Sequence, residues 1–108
     1  MRNLQVSFKG KENNEALSIS LEGHLTSMSA INFKRDLLHM LNERETDCYI
    51  DISKLDAMDL SGVNAITIAH KQLETDNRKM YLVSNSENPA MEFLHLTKFN
   101  RYLNFLRA

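Results

Sequence analysis

Three aspartates and two serines fall within one short stretch: Asp51, Ser53, Asp56, Asp59 and Ser61. Carboxylates grouped in this way can attract a divalent cation. They can equally cap helices and turns, which needs no ligand. A serine hydroxyl near such a cap is also a place where phosphate can be added. The other reactive side chains are scattered. His24, His39, His70 and His95 are dispersed, and none pairs with another His or with Cys at metal-ligand spacing. Cys48 stands in the apolar run Cys48-Tyr49-Ile50; a nucleophilic cysteine needs an exposed, electropositive setting, so this one reads as a small buried hydrophobe. No glycine-rich phosphate loop is present. The expectation is a protein that is not an enzyme, with no catalytic residue, no metal and no cofactor.

The elements around this stretch follow from periodicity. Leu4 to Lys9 and Leu17 to Glu22 alternate apolar and polar residues, the period of half-buried strands. The polar stretch from Gly10 to Glu15 suits a hairpin turn, so the two strands should pair antiparallel, with Gly23 ending the second. Ala30, Phe33, Leu37 and Leu41 recur at helical spacing behind the hydroxyl-rich Thr26-Ser27-Met28-Ser29, which predicts a helix over 29–43. The apolar, β-branched run 48–52 is a buried strand, and 53–59 a connection. Val63, Ile66, Ala69 or His70, and Leu73 then share a face of a second helix over 61–75. A strand at 79–83 and a helix from Pro89 to about Lys98 follow; Tyr102 to Leu106 reads as a last short strand or part of a terminal helix. The order β-β-α-β-α-β-α, with that segment at the end, predicts a single α/β domain over 1–108 with a mixed, mostly parallel sheet. Right-handed crossovers stepping one way put the helices mainly on one face.

Bulk composition narrows the function. Thirteen basic and fourteen acidic residues give a net charge of −1, without the basic surplus of a protein that grips nucleic acid through phosphates. The polar N-terminus lacks the apolar core of a signal peptide, and no apolar stretch approaches the roughly 20 residues of a membrane helix. A cytoplasmic protein without direct membrane insertion is expected.

The stretch from Asp51 to Val63 resembles the STAS family (sulfate transporter and anti-sigma-factor antagonist domains). That family has a strand ending in Asp, a turn, and then Asp, two hydroxyl residues, Gly and an aliphatic residue opening a helix. Here Asp51 stands at the strand end and Asp59-Leu60-Ser61-Gly62-Val63 at the helix start. Glu22-Gly23-His24-Leu25 is similar to the turn after the family's second strand, Val83-Ser84-Asn85 to the end of its fourth, and Leu94 to Tyr102 to its closing helix and link.

The resemblance implies a bacterial protein-interaction module of a partner-switching circuit. Its expected partner is an anti-sigma factor with a kinase-like fold; the alternative is an accessory subunit of a lipid-transport or sensory complex. In the family, the hydroxyl residue directly after the Asp takes the phosphate. Here that residue is Leu60, which cannot be phosphorylated. Either Ser61 is the substitute acceptor, or the domain binds constitutively and Leu60 supplies apolar contact. The second reading is favoured, because hydroxyls in a first helical turn commonly cap. The partner surface is expected at the loop 53–60 and the start of the second helix, with the turn from His24 to Met28 beside it. Its candidate residues are His24, Met58, Asp59, Leu60, Ser61 and Gly62. For Met58, a place in an apolar rim and a place in the core are equally compatible with the sequence. For Gly62, close approach of a partner and close approach of a neighbouring backbone both fit.

Overall fold

The computed structural model describes residues 3–10, 16–85 and 87–107. Five strands lie in sequential order: β1 (Gln5–Lys9), β2 (Leu17–Leu25), β3 (Cys48–Met58), β4 (Met80–Ser84) and β5 (Asn104–Arg107). β1 is antiparallel to β2; every other neighbouring pair is parallel. Helices α1 (Ser27–Asn42), α2 (Leu60–Thr75) and α3 (Pro89–Thr97) make the crossovers, and a 3-10 turn over Phe99–Tyr102 precedes β5. This is the expected α/β domain, with the closing segment resolved as a strand. The expected hairpin turn lies largely at residues 11–15, outside the described residues.

One sheet face is buried and the other is not. Leu17, Ile19, Leu21 and Leu25 of β2, Cys48, Ile50 and Ile52 of β3, and Met80 and Leu82 of β4 all join the core. Against them pack Ala30, Phe33, Leu37 and Leu41 of α1, then Val63, Ile66, Ala69 and Leu73 of α2, then Ala90 and Leu94 of α3. All three helices therefore feed one core on one face, as alternation along strands and 3.6-residue spacing along helices require. On the opposite face Tyr49 and Tyr81, paired across β3 and β4, stack with ring centroids 5.3 Å apart.

Two boundaries differ from the sequence reading. β2 does not stop at Gly23 but continues to Leu25, and β3 does not stop at residue 52 but continues to Met58. The stretch 53–58, expected as loop, is strand because it pairs with the tail of β2: Glu22 with Lys54, Gly23 with Leu55, His24 with Ala57 and Leu25 with Met58. The register shifts twice along this pairing, between Ser20 and Glu22 and between Gly23 and His24. Such bulges break strict alternation, so Leu55 and Met58 are buried three residues apart. Lys54, Asp56 and the missing β-branched residues disguise the strand; pairing overrides propensity here. Gly23, at φ +105, sits at the second shift, where a Cβ would collide with the carbonyl oxygen of Asn3.

Beyond Asp51, β3 leaves β4 and pairs with β2 alone. Asn88 closes the resulting gap. Its Nδ2 donates to the carbonyls of Ile52 (2.8 Å) and Ser53 (3.0 Å), while its Oδ1 accepts from the amide of Met91 and caps α3. The Asn88-Pro89 pair is a helix-start signal, with proline at the first helical position. Among the described residues no helix is long and apolar enough to cross a membrane.

Candidate functional site

The extension of β2 and β3 carries the starts of α1 and α2 to the same end of the sheet. Thr26 follows β2 as the N-cap of α1, and Asp59 follows β3 as the N-cap of α2. The Asp59 carboxylate serves both helices. Its Oδ1 accepts from the Gly62 amide at 3.1 Å, and its Oδ2 accepts from the Ser27 amide at 3.0 Å. Amides at helix starts lack intrahelical partners, and a carboxylate there also meets the positive end of the helix dipole. Ser29 adds a second tie: its Oγ accepts from the Thr26 amide at 3.1 Å and lies 2.8 Å from the His24 carbonyl oxygen.

Gly62 lets this junction close. A Cβ there would lie 2.5 Å from the carbonyl oxygen of Leu25 and 2.9 Å from Cγ of Met58. Of the two readings open in the sequence, the neighbouring backbone is the one in place, since Gly62 is buried. Met58 is only 6% exposed and belongs to the core beneath the helix start; it does not form a surface rim. The side chains that do reach solvent are Leu60, 63% exposed, and Met28, 62% exposed. Each directly follows a residue tied by the Asp59 bridge. Ile31, one turn beyond Met28 on α1, is also exposed. Ser61 and the His24 side chain are half-buried.

The site thus gathers Asp59, Leu60, Ser61, Gly62 and Met28, with His24 contributing its carbonyl to the Ser29 tie. The acidic trio is not a unit: Asp51 Oδ1 accepts from the amide of Ser53 at 2.8 Å, and Asp59 caps helices. Among the described residues no three His, Cys, Asp or Glu side chains are grouped so as to hold a metal. Cys48 is fully buried, and desolvation pushes its thiol up to about 12. Sequence reasoning placed the turn from His24 to Met28, and so Ser27, beside this corner but missed Ser29, Ile31 and the bond from Ser27 to Asp59, which the pairing of the two strand tails makes possible. The hydroxyl-rich Thr26–Ser29 segment was the available signal.

A family model for the STAS domain matches residues 7–107. The chain belongs to the STAS family. Solved structures with the same fold include the unphosphorylated anti-sigma factor antagonist SpoIIAA, at TM-score 0.72 and 17% identity, covering 96% of this chain and 89% of that one. An anti-sigma factor antagonist from Mycobacterium paratuberculosis matches at TM-score 0.77 and 12% identity, covering 95% and 85%. A Ser-to-Glu variant of RsbS from Moorella thermoacetica matches at TM-score 0.73 and 21% identity, covering 96% and 87%. No curated protein sequence matches the chain. Within this STAS domain, the junction tied by Asp59 holds the stretch Asp59-Leu60-Ser61-Gly62-Val63 on which the sequence resemblance rested.

Proposed function

We propose that this STAS domain is a cytoplasmic anti-sigma-factor antagonist that grips its partner constitutively. The partner is an anti-sigma factor with a kinase-like fold, bound at the start of α2 and the adjoining start of α1. The observation that carries the reading is the Asp59 bridge. It fixes two helix starts in one rigid corner and leaves Leu60 and Met28 projecting into solvent on either side of it. Exposed apolar side chains on a preorganised frame lose little entropy when a partner covers them. The anti-sigma factor antagonists among the structural neighbours support the partner class. Leu60 favours binding without a phosphate switch, since the position directly after Asp59 has no hydroxyl to modify.

The test is calorimetric titration of the full chain against each kinase-fold anti-sigma factor of the host. Binding to one of them, weakened at least tenfold by Leu60→Glu with an unchanged circular dichroism spectrum, is expected. Binding to none of them overturns the proposal. Met58→Glu is no substitute for this variant, because it places a charge in the core.

A further inference from the structure

α2 and the link between α3 and β5 line a cavity of about 660 Å³, within the size range of small-molecule sites. Its floor is Thr67 and His70, neighbours on one face of α2 at a spacing of three residues. His70 is only 6% exposed. Its Nδ1 and the Thr67 hydroxyl are both sealed from solvent, and neither has a hydrogen-bond partner among the described residues. Buried polar atoms left in this way cost stability, and neither the core nor the Asp59 corner makes use of them.

The group that would satisfy these two atoms must both donate and accept. His70 Nε2 lies 3.4 Å from Oε1 of Glu74. A carboxylate only accepts, so the ring proton belongs on Nε2 and Nδ1 is left as an acceptor. The Thr67 hydroxyl can donate or accept. A ligand hydroxyl that donates to Nδ1 and accepts from Thr67 therefore satisfies both atoms at once. A carboxylate lacks the proton that Nδ1 needs, and an ammonium would be repelled by the cations around the cavity.

The rim favours negative charge. Lys71, Lys98 and Arg101 line the cavity and are exposed, and among the described residues none of them is in an ion pair. Glu74 is the only acid among the lining residues. Lys98 ends α3 at φ +64, a cap position that glycine ordinarily fills; a glycine would bring no charge to the rim. The wall favours a ring. Phe99 is half-buried, Tyr102 is exposed, and their rings meet edge to face with centroids 6.4 Å apart. An aromatic ligand can pack on them, and Arg101 offers a fork that matches a carboxylate. The long rim side chains change rotamer within nanoseconds, which gives a ligand access to the floor.

We propose that this cavity binds a small aromatic acid with a hydroxyl at the end opposite its carboxylate. The hydroxyl sits on Thr67 and His70, the ring on Phe99 and Tyr102, and the carboxylate among Lys71, Lys98 and Arg101. The site does not depend on the partner contact at Leu60. The probe is 4-hydroxybenzoate, titrated calorimetrically into the full chain. A ligand this small should bind with a Kd of roughly 0.1–1 mM and raise the thermal midpoint. Benzoate, which lacks the hydroxyl, and 4-hydroxybenzyl alcohol, which lacks the charge, should each bind at least about tenfold more weakly. Thr67→Val removes the hydroxyl at nearly constant shape. It should weaken 4-hydroxybenzoate about tenfold, while the thermal midpoint of the free protein holds or rises. Arg101→Gln, at an exposed position, should weaken binding several-fold with an unchanged circular dichroism spectrum. No binding of 4-hydroxybenzoate at about 10 mM, equal binding of either analogue, or unchanged affinity in Thr67→Val overturns the proposal.

Discussion

The carboxylate of Asp59 holds the backbone amide of Ser27 at 3.0 Å across 32 residues of sequence. Ser27 has φ +46, in the left-handed region that a residue other than glycine occupies at a cost. The bond compensates that cost and satisfies an amide that the helix cannot. One side chain thereby couples a strained helix start on α1 to an ordinary N-cap on α2.

Asp59→Ala removes both bonds and is expected to lower stability by about 2 kcal/mol in urea denaturation, the sum of two ordinary caps. Adding Ser27→Gly relieves the strain that the lost bond had offset, and should recover on the order of 0.5–1 kcal/mol. The same Ser27→Gly change in the wild type should gain more, because the intact bond holds Ser27 in the strained conformation that it can leave once the bond is lost. Equal effects in both backgrounds would mean that the two residues are not coupled.

Gly62→Ala has a diagnostic sign. In an open helix position the change should stabilise, since alanine is the better helix former. Here the added Cβ meets backbone, the carbonyl oxygen of Leu25 at 2.5 Å, and backbone gives way reluctantly. Destabilisation by about 1–3 kcal/mol is expected, read from the urea midpoint. Stabilisation would show that α2 is not seated on the end of β2.

Arg78 is a structural residue that composition hides. It is 7% exposed, and its Nη1 donates to the carbonyls of Leu41, Arg44 and Thr46 at 3.2, 2.8 and 3.3 Å. Its Nη2 donates to Asp76 at 2.8 Å. The guanidinium thus closes the C-terminal end of α1 from the far side of the domain. Arg78→Met leaves those carbonyls without this donor and should cost about 2–4 kcal/mol. Arg78→Lys should recover less than half of it, since an ammonium cannot reproduce the fork. Asp76→Asn should cost under about 1 kcal/mol, because Asp76 is largely exposed.

Alternation and helical spacing made the layer order, the antiparallel first pair and the core faces of α1 and α2 readable, because burial on one face writes itself into every second or every third to fourth residue. The tails of β2 and β3 were not readable. Their pairing runs through two register shifts and through Gly23, Lys54 and Asp56, where local preference points away from strand. The site suffered from the same blind spot. Asp59 as a cap, with Gly62 as a donor to it, follows from local sequence. Its second bond, to Ser27, depends on a tertiary pairing that no local pattern encodes.

Cys48 links burial to pH. Its thiol is raised from 9.0 to about 12, chiefly by desolvation. Above pH 9 the unfolded chain releases this proton while the folded chain keeps it, so the unfolded state gains. Stability from this group is full below about pH 9 and is lost progressively as pH rises toward 12. Cys48→Ala should show a shallower decline over that window, the two curves diverging by on the order of a few kcal/mol. A thiol reagent at pH 8 should label the native protein only as fast as it unfolds. Rapid stoichiometric labelling of the folded chain would contradict the burial.

The absent hydroxyl at position 60 predicts how the domain meets a kinase. Leu60 opens α2 and is 63% exposed, whereas Ser61 is half-buried. One step along a helix turns the side chain by about 100°, so Ser61 faces a different direction from the residue that would fill a kinase cleft. Phosphate at either position gains from the free amides at the helix start but meets the charge of Asp59 beside it. Exposure therefore decides between them. Incubated with the proposed kinase-fold partner and ATP, the wild-type chain should carry no phosphate by mass spectrometry. Leu60→Ser should acquire one at position 60 and then lose affinity for the partner, because a hydrated dianion replaces an apolar contact. Ser61→Asp and Ser61→Ala should bind alike. Phosphate on Ser61 of the wild type, with binding lost in Ser61→Asp and kept in Ser61→Ala, would instead make Ser61 the switch and end the constitutive reading.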